Sequence, residues 1–153
     1  MSSIRSRAPV ASSPAIRRVM QANLPRDTTP EIVLRSALHR AGLRYSTDVS
    51  PEPSLKCKAD VVFRREKVCI FIDGCFWHGC PIHFHTPKTN SGWWKEKIND
   101  NRRRDRLKRT KLRKRGWIVI RVWEHQITSN KVSELVGRIS DTVRRRRKPR
   151  SKE

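Results

Sequence analysis

Two acidic residues stand at the ends of neighbouring segments that have the composition of β-strands. Residues 58–63 and 68–73 are apolar and rich in β-branched side chains; Asp60 lies near the start of the first, and Asp73 ends the second. If residues 64–67 form the connecting turn, both acids lie on one face of a hairpin as diagonal neighbours, close enough to share a cation. A shift of one residue would place them on opposite faces.

Acids at converging strand ends are what a magnesium-dependent phosphodiesterase needs. Mg²⁺ takes oxygen ligands and keeps several waters, and it can neutralise phosphate charge while activating a nucleophilic water. The alternative interpretation is that Asp60 and Asp73 are ordinary strand-end acids that pair with some of the many cations in the chain.

Cysteine and histidine follow the second strand at spacings compatible with a zinc loop. Cys75, Cys80 and His83 are separated by four and two residues. The candidates for a fourth ligand are His125, as the best placed, and His85 and His78. A set of two cysteines and two histidines closes the zinc shell, which is typical of a structural site. Free thiols and surface histidines are the alternative.

One histidine and several aromatic residues in the same region could act on nucleic acid. His78 is near the acids in sequence and titrates near neutrality, so it could serve as a general base. Phe76 and Trp77 lie in a polar loop, and Trp93 and Trp94 open the next helical segment. Aromatic side chains placed among cations can wedge between bases, although packing in the core is the competing interpretation for each.

The charge of the chain indicates a polyanionic partner. It has 36 Lys and Arg residues against 14 Asp and Glu residues, a formal net charge of +22. Self-repulsion of this size destabilises a compact protein unless a partner offsets it, and nucleic acid is the obvious partner. No segment has the apolar length to span a bilayer, and no secretory segment is apparent. We therefore expect an intracellular protein that binds nucleic acid and has no membrane role.

The elements that must position these residues form a small α/β domain with a mixed β-sheet covered by helices. The segments predicted in chain order are helices at 15–23 and 30–41, strands at 43–49, 58–63 and 68–73, an irregular stretch at 74–90, a helix at 93–115, a strand at 117–123 and a helix at 132–143. Thr28 and Glu31 have the spacing of a capping box at the start of the second helix. Trp117 and Trp123 are assigned to the core.

The chain is predicted to hold one folded domain between two basic, polar ends. Residues 1–14 are interpreted as a mobile arm, residues 15–143 as the domain and residues 144–153 as a basic disordered tail. Within the domain, ten of the fourteen residues from 102 to 115 are Lys or Arg.

Together these residues resemble the very-short-patch-repair (Vsr) mismatch endonuclease family. The matching stretches are 26–31, 59–63, 71–81, 87–90, 94–98, 104–105 and 116–125. The run Asp-Gly-Cys-Phe-Trp-His-Gly-Cys at 73–80 is highly specific. The resemblance covers roughly residues 15–143.

The resemblance implies a fold and an activity. The expected fold is a restriction-endonuclease-like mixed β-sheet flanked by helices, with a structural zinc site. The expected activity is a magnesium-dependent nick in duplex DNA, 5′ to the thymine of a T:G mismatch that arises from deamination of 5-methylcytosine. A related restriction-type or structure-specific nuclease, and a non-catalytic zinc-stapled DNA-binding protein, are the alternatives.

The resemblance also implies roles for individual residues. Asp60 would be the principal Mg²⁺ ligand, with the backbone carbonyl of Ile72 beside it. His78 would activate the water, and Glu31 would lie near the metal-bound waters. Asp73 is placed in the same catalytic group by the predicted acidic pair. The residues implied to intercalate into DNA are Phe76, Trp77 and Trp94. The residues in the zinc region are Cys75, Cys80, His83 and His125. In the best-known members a His takes the place of Asp73 and a Cys that of His125.

Overall fold

In the part of the chain that the structure describes, a four-stranded mixed sheet carries helices on both faces. The computed structural model describes residue 14 and residues 28–75, 77–128 and 130–147. The predicted helix at 15–23, the whole of Phe76 and most of the two predicted terminal segments lie outside these residues.

The elements follow one another in the predicted order. They are helix α1 (Thr29–Arg40), strands β1 (Ser46–Val49), β2 (Ala59–Phe63) and β3 (Val68–Asp73), helix α2 (Ser91–Lys114), strand β4 (Ile118–Trp123), a 3₁₀ turn (Glu124–Gln126) and helix α3 (Val132–Arg147). Strand β1 is shorter than the strand predicted at 43–49. After α1 the chain enters the core at Leu43, which is 2 % exposed, before the strand begins. Helix α3 continues to Arg147, so the first four residues of the predicted disordered tail are helical.

The sheet has the strand order β1-β2-β3-β4, with the first two pairs antiparallel and the last pair parallel. Phe63 pairs with Val68, which confirms the predicted hairpin and its turn at 64–67. Lys67 takes a left-handed conformation (φ 55°) at the end of that turn. Because β3 and β4 run parallel, Asp73 and Trp123 end the two strands side by side.

The two faces of the sheet differ in what covers them. On one face, Val61, Phe63 and Ile70 pack against leucines of α1 and the apolar stripe of α3. On the other face, Val62, Cys69 and Val119 pack against Leu112 of α2 and Trp117, and this apolar cluster is smaller. Beyond it, towards the ends of β3 and β4, the second face becomes polar. The hydrophobic effect thus holds α2 over one half of this face and leaves the other half for charged residues.

No helix in the described part of the chain combines the length and the hydropathy that crossing a membrane requires.

Candidate active site and metal centre

Asp60 lies near the start of β2, beside the end of β3. Its Oδ2 accepts a hydrogen bond of 2.7 Å from the backbone N–H of Ile72. Burial raises the pKa of Asp60 to about 6; the Ile72 N–H opposes this rise, and the negative charges of Glu31 and Asp73 add to it. An added cation is therefore the group that would stabilise this carboxylate in its charged form.

Glu31 reaches the same place from the first turn of α1, where it is only 8 % exposed. The hydroxyl of Thr28 donates to Glu31 Oε1 at 3.1 Å, and the guanidinium of Arg35 donates to Oε2 at 3.1 Å. Thr28 occupies the N-cap position, but its side chain does not accept a helix N–H. The predicted capping box is therefore wrong, since the Thr28 hydroxyl donates to Glu31 instead of accepting a helix N–H.

Asp73, His78 and Asp105 form a second acidic group close by. The Nδ1 atom of His78 lies 2.5 Å from Asp105 Oδ2 and 3.8 Å from Asp73 Oδ1. Arg121 Nε donates to the other oxygen of Asp73. Asp105 comes from α2 and Arg121 from β4, so the group forms only because α2 crosses this face of the sheet.

The charges around His78 favour its protonated form. Burial alone would lower the pKa of His78, but the hydrogen bond with Asp105 and the charges of Asp73 and Asp105 outweigh burial and raise it. Burial likewise works to raise the pKa of Asp105, yet the bond with His78 and its charge lower it. The two residues therefore behave as an ion pair or a strongly polarised hydrogen bond.

Cys75, Cys80, His83 and His125 converge in the loop beyond β3, with one ligand atom of each within 4.8 Å of the others. His125 Nδ1 lies 3.3 Å from Cys75 Sγ and 3.6 Å from Cys80 Sγ, and His83 Nδ1 lies 3.7 Å from Cys80 Sγ. His125 joins the loop because β3 and β4 end side by side. The two other candidates for the fourth ligand, His78 and His85, are not in this cluster.

These distances fit a tetrahedral metal ion. Zinc–sulfur and zinc–nitrogen bonds at tetrahedral angles place sulfur and nitrogen ligands ~3.5 Å apart. Burial acts to raise the pKa of the Cys80 thiol, but hydrogen bonds from His83, Ile82 and Cys75 outweigh it and lower the pKa to about 7. Burial and the charges of His83 and Lys131 lower the pKa of His125. Thiolate and neutral imidazole are the forms that bind a metal. Burial shifts Cys75 the other way and raises the pKa of its thiol to about 11, a shift that a bound cation would oppose.

Three tryptophans form a cluster in which only Trp94 is fully buried, while Trp77 and Trp93 are half-buried. Trp93 and Trp94 open α2 with their ring centroids 4.7 Å apart, and Trp77 lies on Trp94 at 5.9 Å. Trp77 is half-buried, whereas Trp94 is 2 % exposed. Trp94 could enter DNA only if this packing opened. Trp117 is buried as predicted, but Trp123 is half-buried beneath the guanidinium of Arg121.

Sequence analysis assigned no role to two members of the site, Asp105 and Arg121. Asp105 is one acid among ten cations on a polar helix, and Arg121 interrupts an apolar strand. For these two residues, the only local signal in the sequence is that Arg121 interrupts a run of apolar residues.

Comparison with known proteins shows the family to which the chain belongs. A sequence profile of the family "DNA mismatch endonuclease Vsr" matches residues 12–83. The type II nicking enzyme V.NaeI of Lentzea aerocolonigenes is 46 % identical over 121 residues, which cover 78 % of this chain and 73 % of that protein.

Two further relatives agree with this match. The type II nicking enzyme V.NmeAIP of Neisseria meningitidis is 36 % identical over 77 % of this chain and 86 % of its own length. The DNA mismatch endonuclease Vsr of Escherichia coli is 38 % identical over 69 % of this chain and 66 % of its own length. The chain therefore belongs to the Vsr family and is a DNA endonuclease.

Proposed function

We propose that the protein nicks duplex DNA 5′ to the thymine of T:G mismatches left by deamination of 5-methylcytosine, and that it requires Mg²⁺. The observation that carries this proposal is the arrangement at the ends of β2 and β3. There Asp60 lies near enough to Glu31 and Asp73 for their charges to raise its pKa, and His78 lies 3.8 Å from Asp73 Oδ1 while it is bonded to Asp105. The mismatch part is supported by the name of the E. coli relative.

Asp60 would hold Mg²⁺ together with the backbone carbonyl of Ile72, and Glu31 would bond to the waters around it. The donor set fits, because these are the oxygen ligands that Mg²⁺ prefers and because Asp60, Glu31 and Asp73 concentrate negative charge there. When bound, the ion would supply positive charge next to the phosphodiester and lower the pKa of a water molecule.

His78 is proposed to take the proton from the attacking water. Its Nδ1 is committed to Asp105 at 2.5 Å, so the tautomer with hydrogen on Nδ1 leaves the Nε2 lone pair as the base. Asp105 thereby fixes the ring orientation and the tautomer. Asp73 contributes a second negative charge that stabilises the imidazolium once the proton has been taken.

Recognition of the mismatch is assigned to the aromatic residues. Phe76 and Trp77 would enter the base stack, because a wobble pair costs less to unstack than a matched pair. Trp94 supports Trp77 from the interior and would become an intercalating residue only on rearrangement.

The partner is proposed to be double-stranded DNA bound by a protein monomer. The many exposed Lys and Arg residues of α2 would contact phosphates and make binding strongly dependent on salt. The relatives described above are bacterial, and an enzyme that acts on genomic DNA would lie with the nucleoid in the cytoplasm.

The remaining parts of the proposal concern fold and zinc. The sheet is taken as a restriction-endonuclease-like core, and the ion of the Cys/His cluster as Zn²⁺ in a structural role, since four protein ligands leave no position for substrate.

An end-labelled duplex assay tests the proposal. The purified protein is offered a T:G duplex, the matched duplex and a branched duplex, each with Mg²⁺ or with EDTA. We expect a single nick, in the T:G duplex with Mg²⁺ only. Equal cutting of the matched duplex would remove the mismatch claim and favour a nicking enzyme that reads a short sequence, as the names of several relatives suggest.

Asp60→Asn is the matched test of the metal site. We expect it to lower the nicking rate on the order of 10³-fold or more while DNA binding is retained, because the metal contributes several kcal/mol to transition-state stabilisation. Asp141→Asn, an exposed acid on α3, is the control and should nick normally. Nicking that persists in Asp60→Asn would show that the site lies elsewhere.

A further inference from the structure

Arg121 lies on the same face of the sheet as the acids of the site. It pairs with Phe71 across the parallel β3–β4 ladder. The hairpin register, continued by one residue from the pair Val61 and Ile70, places Asp60 opposite Phe71 as well. Asp60 and Arg121 are thus in one row across three strands, with ~10 Å between their backbones.

Two contacts hold the guanidinium of Arg121 in a defined orientation. Its Nε donates to Asp73 Oδ2, and its central carbon lies 4.2 Å from the ring centroid of Trp123. Neither terminal nitrogen has a hydrogen bond to any residue in the described ranges, and the side chain is 27 % exposed. A guanidinium anchored through Nε in this way presents a two-nitrogen fork that matches a phosphate.

The surrounding acids have the spacing of a cation site, but one oxygen of each is already hydrogen-bonded. The ligand atoms of Asp73, His78 and Asp105 lie within 4.8 Å of one another. One oxygen of Asp73 accepts from Arg121, and one oxygen of Asp105 is bonded to His78. The positive charge of Arg121 therefore offsets the negative charge of Asp73 and Asp105, which a second divalent cation would otherwise neutralise.

We propose that Arg121 is a catalytic residue that contacts the non-bridging oxygens of the scissile phosphate and takes the place of a second metal ion. As water attacks, a bond from water oxygen to phosphorus forms and the bond to the 3′ oxygen breaks. His78 takes the proton of the water, and the departing 3′ oxygen takes a proton from solvent. Arg121 stabilises the negative charge that accumulates on the phosphoryl oxygens during this exchange. The inference rests on the proposed reaction site at Asp60.

Single-turnover nicking by full-length Arg121→Ala and Arg121→Lys tests this role. We expect Arg121→Ala to slow the chemical step on the order of 10²–10³-fold with DNA affinity changed only a few-fold. Arg121→Lys keeps the charge opposite the buried Asp73 but loses the fork, so it should fold as the wild type does and react at an intermediate rate. Arg138→Ala, an exposed arginine on α3, is the control and should behave as the wild type.

Phosphorothioate substrates separate contact with the phosphate from mere support of Asp73. Each non-bridging oxygen at the nicked position is replaced in turn by sulfur, and oxygen and sulfur substrates are compared in the wild type and both variants. We expect one sulfur isomer to slow the wild type but to have little further effect on Arg121→Ala or Arg121→Lys. The same sulfur effect in all three proteins would overturn the proposal.

Mn²⁺ distinguishes the arginine from a metal ion at the same oxygen, because it binds sulfur better than Mg²⁺ does. Restoration of the wild-type rate on the slowed isomer by Mn²⁺ would assign that oxygen to a metal and overturn the proposal. The three proteins are compared on whichever duplex the wild type nicks. Failure of the mismatch claim would therefore appear as cutting of the matched duplex, independently of the sulfur effect.

Discussion

Two clusters of side chains that could bind a metal share the loop after β3. They differ in whether their donor atoms point at one position or are hydrogen-bonded in separate pairs. Residues 75, 80 and 83 turn to the Cys/His cluster, whereas residues 73 and 78 turn to the acidic group with Asp105. Neighbouring side chains of a single loop thus serve two centres. The Cys/His cluster directs four donor atoms at one point, which is a closed arrangement.

The acidic group is bonded in pairs instead of around one point. His78 is bonded to Asp105, Asp73 to Arg121 and Asp60 to the Ile72 N–H. Among the residues that the structure describes, each pair leaves an atom without a hydrogen bond: Nε2 of His78, the fork of Arg121 and the second oxygen of Asp60. This difference indicates that the closed Cys/His cluster can hold the loop in shape, while the open acidic group keeps hydrogen-bonding atoms that a substrate could contact. Loss of the first should therefore disable the second, but not the reverse.

Cys80→Ser should have the largest effect, because it breaks the closed cluster. Serine is a poor zinc ligand, and loss of a structural metal destabilises a domain on the order of 4 kcal/mol or more. We expect metal content, thermal stability and nicking to fall together, as measured by atomic emission, circular dichroism and the duplex assay.

Cys57→Ser is the matched control for this change. Cys57 is also buried (7 % exposed) but lies in the apolar cluster below α2. Its variant should keep the metal and lose only about 1 kcal/mol. Full metal content in Cys80→Ser would contradict the assigned ligand set.

Asp105→Asn should break the open group and leave the closed cluster intact. The amide keeps the shape of Asp105 but loses the charge that orients His78, so we expect the nicking rate to fall ~10²-fold. A base must be neutral, and the raised pKa of His78 makes the wild-type rate climb as pH rises through that pKa. Because the variant loses the bond that raises the pKa, its climb should occur at lower pH.

Two readouts complete the Asp105 experiment. Metal content should stay at the wild-type level, which would not hold if the two clusters were one cooperative unit. Asp100→Asn is the control, since Asp100 lies on the same helix and pairs with Arg103 at 2.6 Å on the exposed side. A pH profile that does not move in Asp105→Asn would remove His78 as the base.

Sequence reasoning could predict the parts of the site that depend on local geometry. The turn at 64–67 determines the hairpin register, and the register determines the shared face of Asp60 and Asp73. The fourth ligand of the Cys/His cluster could be anticipated for a similar reason. His125 follows β4 by two residues as Cys75 follows β3 by two, so parallel pairing of the strands brings them together.

The parts that depend on how α2 crosses the sheet could not be predicted. Asp105 is 27 residues from His78, and nothing in the helix distinguishes it from an acid paired with its own turn. The burial of Trp94 follows from the same crossing, and so its predicted contact with DNA stays a prediction. The role of Arg121 depends on Asp73 being buried beside it, which no pattern along β4 reveals.

A glycine pair gives the smallest expected effect and separates the loop from the rest of the fold. Gly79 has φ +63°, and a Cβ there would lie 2.6 Å from the guanidinium of Arg102 and 2.7 Å from the Ile98 side chain. Arg102 can move, but Ile98 is 1 % exposed and cannot. Gly79→Ala must therefore shift the loop between His78 and Cys80, at a cost of about 1–3 kcal/mol.

Gly137→Ala is the opposite case, because Gly137 lies within α3 and a Cβ there meets no atom within 4 Å. Alanine should stabilise that helix by about 0.5–1 kcal/mol. Urea unfolding measures the change in the free energy of unfolding, which should fall in Gly79→Ala and rise in Gly137→Ala. The duplex assay should show slower nicking only in Gly79→Ala, with its metal retained. If Gly79→Ala unfolds and nicks as the wild type does, the loop is not held against α2 by the contact with Ile98, and the closed cluster alone must position His78.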